Sequence, residues 1–356
     1  MARRAPRGAT ENPGNRFERL RYLEDPDYAD WLASDPDAAR PEIPTRYYDD
    51  PSRTLLATNE SPDVPFDVSL NPYRGCVHAC SYCFARPTHE YLGWSAGLDF
   101  ETRIAVKRDA PELLRKALAS PRWKPQVVAL GAVTDAYQPV ERRLLISRRC
   151  LEVFAEFRNP VSIVTKSALV ARDADLLAEL ARHEAAAVFV SVTSLDDDLA
   201  RRMEPGAPPP RRRLAAIRAL AEAGVPVGAM IAPIVPALND SEIPALLEAV
   251  AAAGARCARP VMLRLPHGLG PLFESWLERH YPERKAKVLS RIREMRGGRL
   301  NDPRFHRRMR GSGLLAEQTL ALFELSRRRA GLPDEGPVLS AAAFRRPPEP
   351  QLPLFA

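Results

Sequence analysis

The chain has 356 residues, 45% of them hydrophobic, enough to bury one large core or two ordinary ones. No apolar run approaches the roughly 18 to 20 residues of a membrane span, and the opening stretch MARRAPRGATENPGNR lacks the apolar core of a secretory signal. A cytoplasmic protein without membrane contact is expected. The net charge of +7 is uneven: eleven Lys and Arg against two acids fall between Arg284 and Arg310, so the remainder is slightly acidic.

In chain order, residues 1–65 read as a partly disordered N-terminal extension, with RFERL and YADWLA as candidate short helices over the barrel's open side. From residue 66 to 270 short apolar runs alternate with amphipathic stretches. FDVSL (66–70) reads as a strand leading into a cysteine-rich loop. Helix 111–120 carries proline in its first turn, and VVALGAV (127–133) is a buried strand followed by one continuous helix over 141–157. The alternation continues with strand 161–167, helix 174–183, strand 186–194 and helix 211–224, where Gly224 suits a left-handed cap. Strand 225–235, helix 241–254 with Ser241 or Asp240 as N-cap, and strand 258–265 complete about six β/α units. Apolar strands separated by helices predict a parallel sheet covered by helices, a partial (β/α)6 TIM-like barrel of the α/β class. Its functional groups are expected at the carboxyl ends of the strands. Residues 271–335 read as a basic helical C-terminal region and 336–356 as a disordered tail.

Three of the five cysteines, Cys76, Cys80 and Cys83, are spaced C-x3-C-x2-C in the loop after the first strand. A clustered trio within an odd total fits metal binding better than a disulfide framework. One alternative is a structural zinc loop with His78 or His89 as fourth ligand. The other is a [4Fe–4S] cluster in which three thiolates leave one iron open for chemistry.

With Tyr82 before the third cysteine, this loop at the end of the first strand of a β/α barrel resembles the radical S-adenosylmethionine (SAM) superfamily over residues 65 to 270. CSYCFAR, TDAYQPVE, VTKS and the segment from Glu204 and Pro205 to RRRL look like its spore photoproduct lyase-like branch. The resemblance implies a [4Fe–4S] cluster on Cys76, Cys80 and Cys83, reductive cleavage of SAM to a 5′-deoxyadenosyl radical, and a reductant such as flavodoxin or ferredoxin. It also implies roles in SAM binding. Tyr82 would lie by adenine or else pack on the loop. Thr134 and Asp135 would meet the amino group, with a helix N-cap as the alternative use of Asp135. Lys166 would pair with the carboxylate or face solvent. Ser191 and Thr193 would meet the ribose or satisfy local backbone. Glu204 and Arg213 are expected to pair across a proline-rich turn.

The pattern breaks at Ala132, where photoproduct lyases of this branch carry a hydrogen-donating cysteine, so spore photoproduct repair itself is doubtful. Cys150 and Cys257 read as buried small hydrophobes. The final QLPLFA, through Gln351, Leu352, Leu354 and Phe355, resembles the peptide by which bacterial proteins dock on the DNA polymerase sliding clamp, against the alternative of a frayed apolar end. The leading expectation is a radical SAM enzyme acting on nucleic acid, in DNA repair or base modification. A radical SAM enzyme for a protein or small metabolite, with the basic stretch a solvated face, and a non-catalytic metal-bound recruitment module are the competing readings.

Overall fold

The computed structural model describes residues 7–9, 11–17 and 43–347. The helices expected over RFERL and YADWLA fall largely outside these residues, and QLPLFA wholly so. In chain order the strands are β1 (Arg46–Asp49), β2 (Leu56–Thr58), β3 (Val68–Leu70), β4 (Tyr73–Arg74) and β5 (Arg103–Val106), then β6 (Val128–Leu130), β7 (Val161–Thr165), β8 (Ala186–Ser191), β9 (Val227–Ile234) and β10 (Cys257–Met262). A seven-stranded sheet runs in the order β10-β9-β8-β7-β6-β3-β2. Within it β3 and β6 to β10 pair in parallel, and β2 adds an antiparallel edge. Six parallel strands with intervening helices are the expected partial barrel. The strands β1, β5 and β4 form a separate three-stranded sheet.

The strands form where β-branched residues recur on both faces: Val68, Val128 and Val161 stand side by side in register, with Ala186 next in the row. All four are buried, as parallel strands covered by helices require. β6 is shorter than the sequence suggests. Gly131 turns the chain at φ +84°, and the N–H groups of Val133 and Thr134 go to the Asn71 side chain instead of the sheet. That side chain thereby ties the end of β6 to the end of β3. The single helix expected over 141–157 is broken at Leu145, whose φ is +54°. Buried Glu141 explains the break, because its carboxylate accepts the N–H of Ser147 at 3.0 Å and of Arg148 at 3.3 Å, capping the Ile146–Phe157 helix from the preceding turn. Gly224 takes φ +80° just past the Pro210–Glu222 helix, as expected of its cap. The Ile243–Ala252 helix is preceded by a 3-10 turn over Asp240–Glu242, so neither Ser241 nor Asp240 caps it.

Beyond the barrel, helices Leu269–His280, Pro282–Met295 and Leu314–Arg329 form the C-terminal region. Their apolar faces do more than cover the sheet. Phe273, Trp276, Leu289 and Ile292 join Leu263, Met203, Tyr82 and Cys80 in one buried cluster, so this region packs on the cysteine loop itself. Among the described residues no helix is long and apolar enough to cross a membrane.

Close packing inside the sheet gives a test of the register. A Cβ at Gly228 on β9 would stand 2.6 Å from the Phe189 ring and 2.9 Å from the Cys257 sulfur. We expect Gly228→Ala to lower the free energy of unfolding by about 1 to 3 kcal/mol, measured by chemical denaturation.

Candidate active site

The loop that carries Cys76, Cys80 and Cys83 is folded by its own backbone. Gly75 at φ +80° brings the chain against the carbonyls of Phe100 and Arg103, where a Cβ would stand 2.9 and 3.0 Å away. Ala79 at φ +57° then reverses the loop, with the Ala79 N–H on the Cys76 carbonyl at 3.2 Å. Cys76 and Cys80 are each 6% exposed, Cys83 is half-buried, and all three are free thiols. Burial pushes the Cys76 thiol well up, with Asp135, Cys80 and Cys83 adding to it, and pushes the Cys80 thiol up to about 12. Three thiols on one tight loop suit a group that binds them as thiolates, because metal then displaces the protons that burial retains. Among the described residues no three His, Cys, Asp or Glu groups converge as a single ion requires. A cubane takes each thiolate on a different iron and asks for a wider spread, so the trio fits a cluster better than zinc. The alternative histidine ligands are otherwise engaged. His78 Nδ1 lies 3.2 Å from Asp135, and His89 packs between Trp94 and Phe100, where burial holds it neutral with a pKa of about 4.

Three buried carboxylates clamp this loop from three sides. On one side Glu101 pairs with the fully buried guanidinium of Arg86, which also donates to the Cys80 carbonyl at 2.8 Å. Glu101 also accepts the N–H groups of Gly8 and Ala9, laying residues 7–9 across the loop. On a second side Asp135 takes His78, the Thr165 hydroxyl at 2.7 Å and the Lys166 N–H at 2.8 Å. Burial works against its charge, yet His78 and these donors outweigh it and hold the carboxyl well below its usual range. On the third side Glu204 accepts the Tyr82 phenol and the Thr193 hydroxyl, pairs with Arg213, and lies 4.0 Å from the Lys166 ammonium. Burial would raise its pKa, but Arg213 and Lys166 hold it low.

Of the residues expected to bind SAM, Tyr82, Lys166 and Thr193 therefore meet around Glu204. The Lys166 ammonium also lies 5.7 Å over the Tyr82 ring. Ser191 is buried at the end of β8, where its carbonyl accepts from Arg213 at 3.2 Å. Thr134 spends its hydroxyl on the Tyr73 carbonyl at 2.6 Å. Asp135 does not cap the next helix, which begins at Glu141 after Val140; it accepts the Tyr137 N–H at 2.9 Å within the preceding turn. The expected Glu204–Arg213 pair is present and buried. Sequence reasoning missed Arg86, Glu101 and His78 as clamps. Arg86 inside CSYCFAR was the one available signal. A cavity of about 170 Å³ lined by His78, Tyr137, Ser167 and Gly206 adjoins the loop, below the roughly 300 Å³ of small-molecule sites.

The basic stretch reaches the same end of the barrel. The Met262 N–H at the end of β10 donates to the Met309 carbonyl at 2.9 Å, and Arg296 donates to the Met262, Leu263 and Arg307 carbonyls. Several of its cations are consumed structurally: Arg308 by Asp63, Arg304 by Asp302, Lys285 by Glu278, Arg293 by Glu274 and Arg291 by Asp240. Arg284, Lys287, Arg299, Arg307 and Arg310 have no carboxylate partner among the described residues.

Residues 70–250 match the family model of the radical SAM superfamily. An uncharacterised protein of Mycobacterium tuberculosis is 40% identical over 273 residues, covering 74% of this chain and 79% of the relative. One of Methanocaldococcus jannaschii is 31% identical over 176 residues, covering 49% and 62%. Among solved structures, spore photoproduct lyase complexed with dinucleoside spore photoproduct aligns at TM-score 0.50 and 18% identity, over 67% of this chain and 66% of that one. A variant of the same lyase aligns at TM-score 0.52 and 17% identity, over 80% and 77%. These structural likenesses concern the fold. The family model, matched across the cysteine loop and the strand ends that surround it, and the extended mycobacterial identity establish that this chain belongs to the radical SAM superfamily.

Proposed function

We propose that this enzyme acts on nucleic acid, using the [4Fe–4S] cluster and SAM that its family employs. Cys76, Cys80 and Cys83 hold the cluster in this reading. When bound, the two groups supply one-electron cleavage of SAM to a 5′-deoxyadenosyl radical, which takes a hydrogen atom from the substrate. The chain's own residues bind, orient and shield. Lys166 retains charge for the SAM carboxylate, because Glu204 is shared with Arg213. Burial opposes that charge, but Cys80 and Glu204 raise the Lys166 pKa above the ordinary lysine value. Tyr82 would lie by adenine, and Ser191 and Thr193, at and just past the end of β8, would meet the ribose. Thr134 and Asp135 act as positioning residues at the amino-group side, fixing the turn after β6 against the loop and β7. The Phe273 and Trp276 cluster excludes water from the apolar side of Cys80.

The observation that carries the substrate reading is the tie between Met309 and the end of β10, since it supports a basic rim at the active end of the barrel. A solvated helical face would not need such a tie. Arg307 and Arg310, which flank Met309 in sequence and have no carboxylate partner among the described residues, suit a polyanion. The lyase aligned above is a structure holding a dinucleoside lesion, which agrees with this class of substrate. Ala132 in the hydrogen-donor position argues for a product other than the one made by photoproduct lyases.

Anaerobic incubation of the reduced enzyme with SAM, with and without DNA, tests the proposal. We expect DNA to raise 5′-deoxyadenosine formation and to gain deuterium in heavy water, and Cys76→Ala, Cys80→Ala or Cys83→Ala each to abolish both. A 5′-deoxyadenosine yield indifferent to nucleic acid would favour a protein or metabolite substrate.

Glu204→Gln leaves buried Arg213 and half-buried Lys166 uncompensated. We expect it to lose about 3 to 5 kcal/mol of stability in chemical denaturation and to retain less iron after reconstitution than wild type.

The tail extends the reading to DNA polymerase. A peptide covering residues 345–356 is expected to bind the bacterial sliding clamp at micromolar affinity, about −8 kcal/mol. Calorimetry should show this binding lost when Leu354 and Phe355 are replaced by Ala.

A further inference from the structure

Phe84 follows Cys83 directly and is 46% exposed. Arg264, just past β10, holds its guanidinium 5.4 Å over that ring. Among the described residues Arg264 has no carboxylate partner: one nitrogen meets only the Met309 sulfur at 3.4 Å, and its buried Nε meets nothing. Burial and neighbouring Arg308 lower its pKa, with Asp63 only partly opposing them. The arrangement recurs at Arg308, next to Met309 in the chain, with Phe305 51% exposed and the Arg308 guanidinium 4.6 Å over it. Arg308 differs in being neutralised by Asp63. The surface thus presents two open rings and one half-buried cation that lacks an anion.

A half-buried guanidinium without a partner is costly to hold and is completed by an anion. An acidic protein would supply that anion but would leave the rings without flat partners. A single strand supplies both, a phosphate and the π-face of a base, within one nucleotide. A duplex hides its base faces in the stack, and enzymes that act on a base must first expose it. The clamp-like Gln351–Phe355 points to DNA rather than RNA.

We propose that Phe84, Arg264 and Phe305 form a stacking platform at the barrel mouth that receives an unpaired base of a DNA strand, with Arg264 taking the adjoining phosphate. This rests on the nucleic-acid reading above and narrows it to an extruded or single-stranded base. Phe84 adjoins a proposed cluster ligand in the chain, so a base on Phe84 lies beside the site of chemistry.

Fluorescence anisotropy with the reconstituted enzyme tests it, using a labelled single-stranded oligodeoxynucleotide, the same sequence as a duplex, and its RNA counterpart. We expect the single DNA strand to bind most tightly. Phe84→Leu and Arg264→Gln should each weaken it about 10-fold, while Phe84→Tyr, which keeps the ring, restores wild-type affinity. Because Arg264 packs on Met309 and its variant can perturb the fold, Phe84→Leu at an exposed ring decides the matter, with unfolding temperature as the control. Equal single-strand binding by wild type and Phe84→Leu overturns the platform and leaves the nucleic-acid reading standing, as does preference for duplex or RNA. If wild type binds none of the three probes, the nucleic-acid reading falls and the platform with it.

Discussion

The buried carboxylate of Glu204 takes the Tyr82 phenol, the Thr193 hydroxyl and the Arg213 guanidinium together, with the Lys166 ammonium 4.0 Å away. Those four groups belong to the cysteine loop, the end of β8, the Pro210–Glu222 helix and the end of β7. One charge therefore fixes the loop relative to two strand ends and a helix. A buried ion pair of this kind is poor value as pure stability, since desolvation offsets most of the attraction. Its use here is geometric: it sets where a lysine and an aromatic ring stand beside the thiols. Glu101 and Asp135 repeat the arrangement on the other two sides, so the cysteine loop hangs from three carboxylates rather than from its own short hydrogen bonds.

The C-terminal region has two jobs that composition alone runs together. Its apolar faces close over Cys80 and Tyr82, and its arginines are divided between fastening and display. Arg296 is nearly buried, and burial lowers its pKa to about 10 while it holds the Leu263 and Arg307 carbonyls. Arg308 and Arg304 are tied to Asp63 and Asp302. Five of the eleven cations are left without a carboxylate partner among the described residues, and two of these, Arg307 and Arg310, flank Met309, whose carbonyl is held by β10.

The barrel was legible because its signals are local. β-branched runs, helical periodicity, Gly224 after its helix and three thiols in one loop each announce themselves within a few residues. The Glu204–Arg213 pair was also within reach, because both residues flank one turn. The clamps on the loop were not, since Arg86 meets a carboxylate that also holds residues 8 and 9, and His78 meets Asp135 from the turn after the neighbouring strand β6. β1 escaped because RYYD is exposed throughout and shows no buried face. The break at Leu145 depends on where the Glu141 side chain turns, which periodicity does not encode. The fates of Arg308 with Asp63 and Arg291 with Asp240 likewise depend on acids far away in sequence.

The central claim is that three thiols on a loop positioned by Glu204 hold a cluster with one iron open to SAM. Electron paramagnetic resonance of the reconstituted, reduced protein, recorded before and after SAM is added, tests it most directly. The account predicts a [4Fe–4S] signal whose shape changes on SAM binding. A cluster signal that SAM leaves unaltered would contradict it.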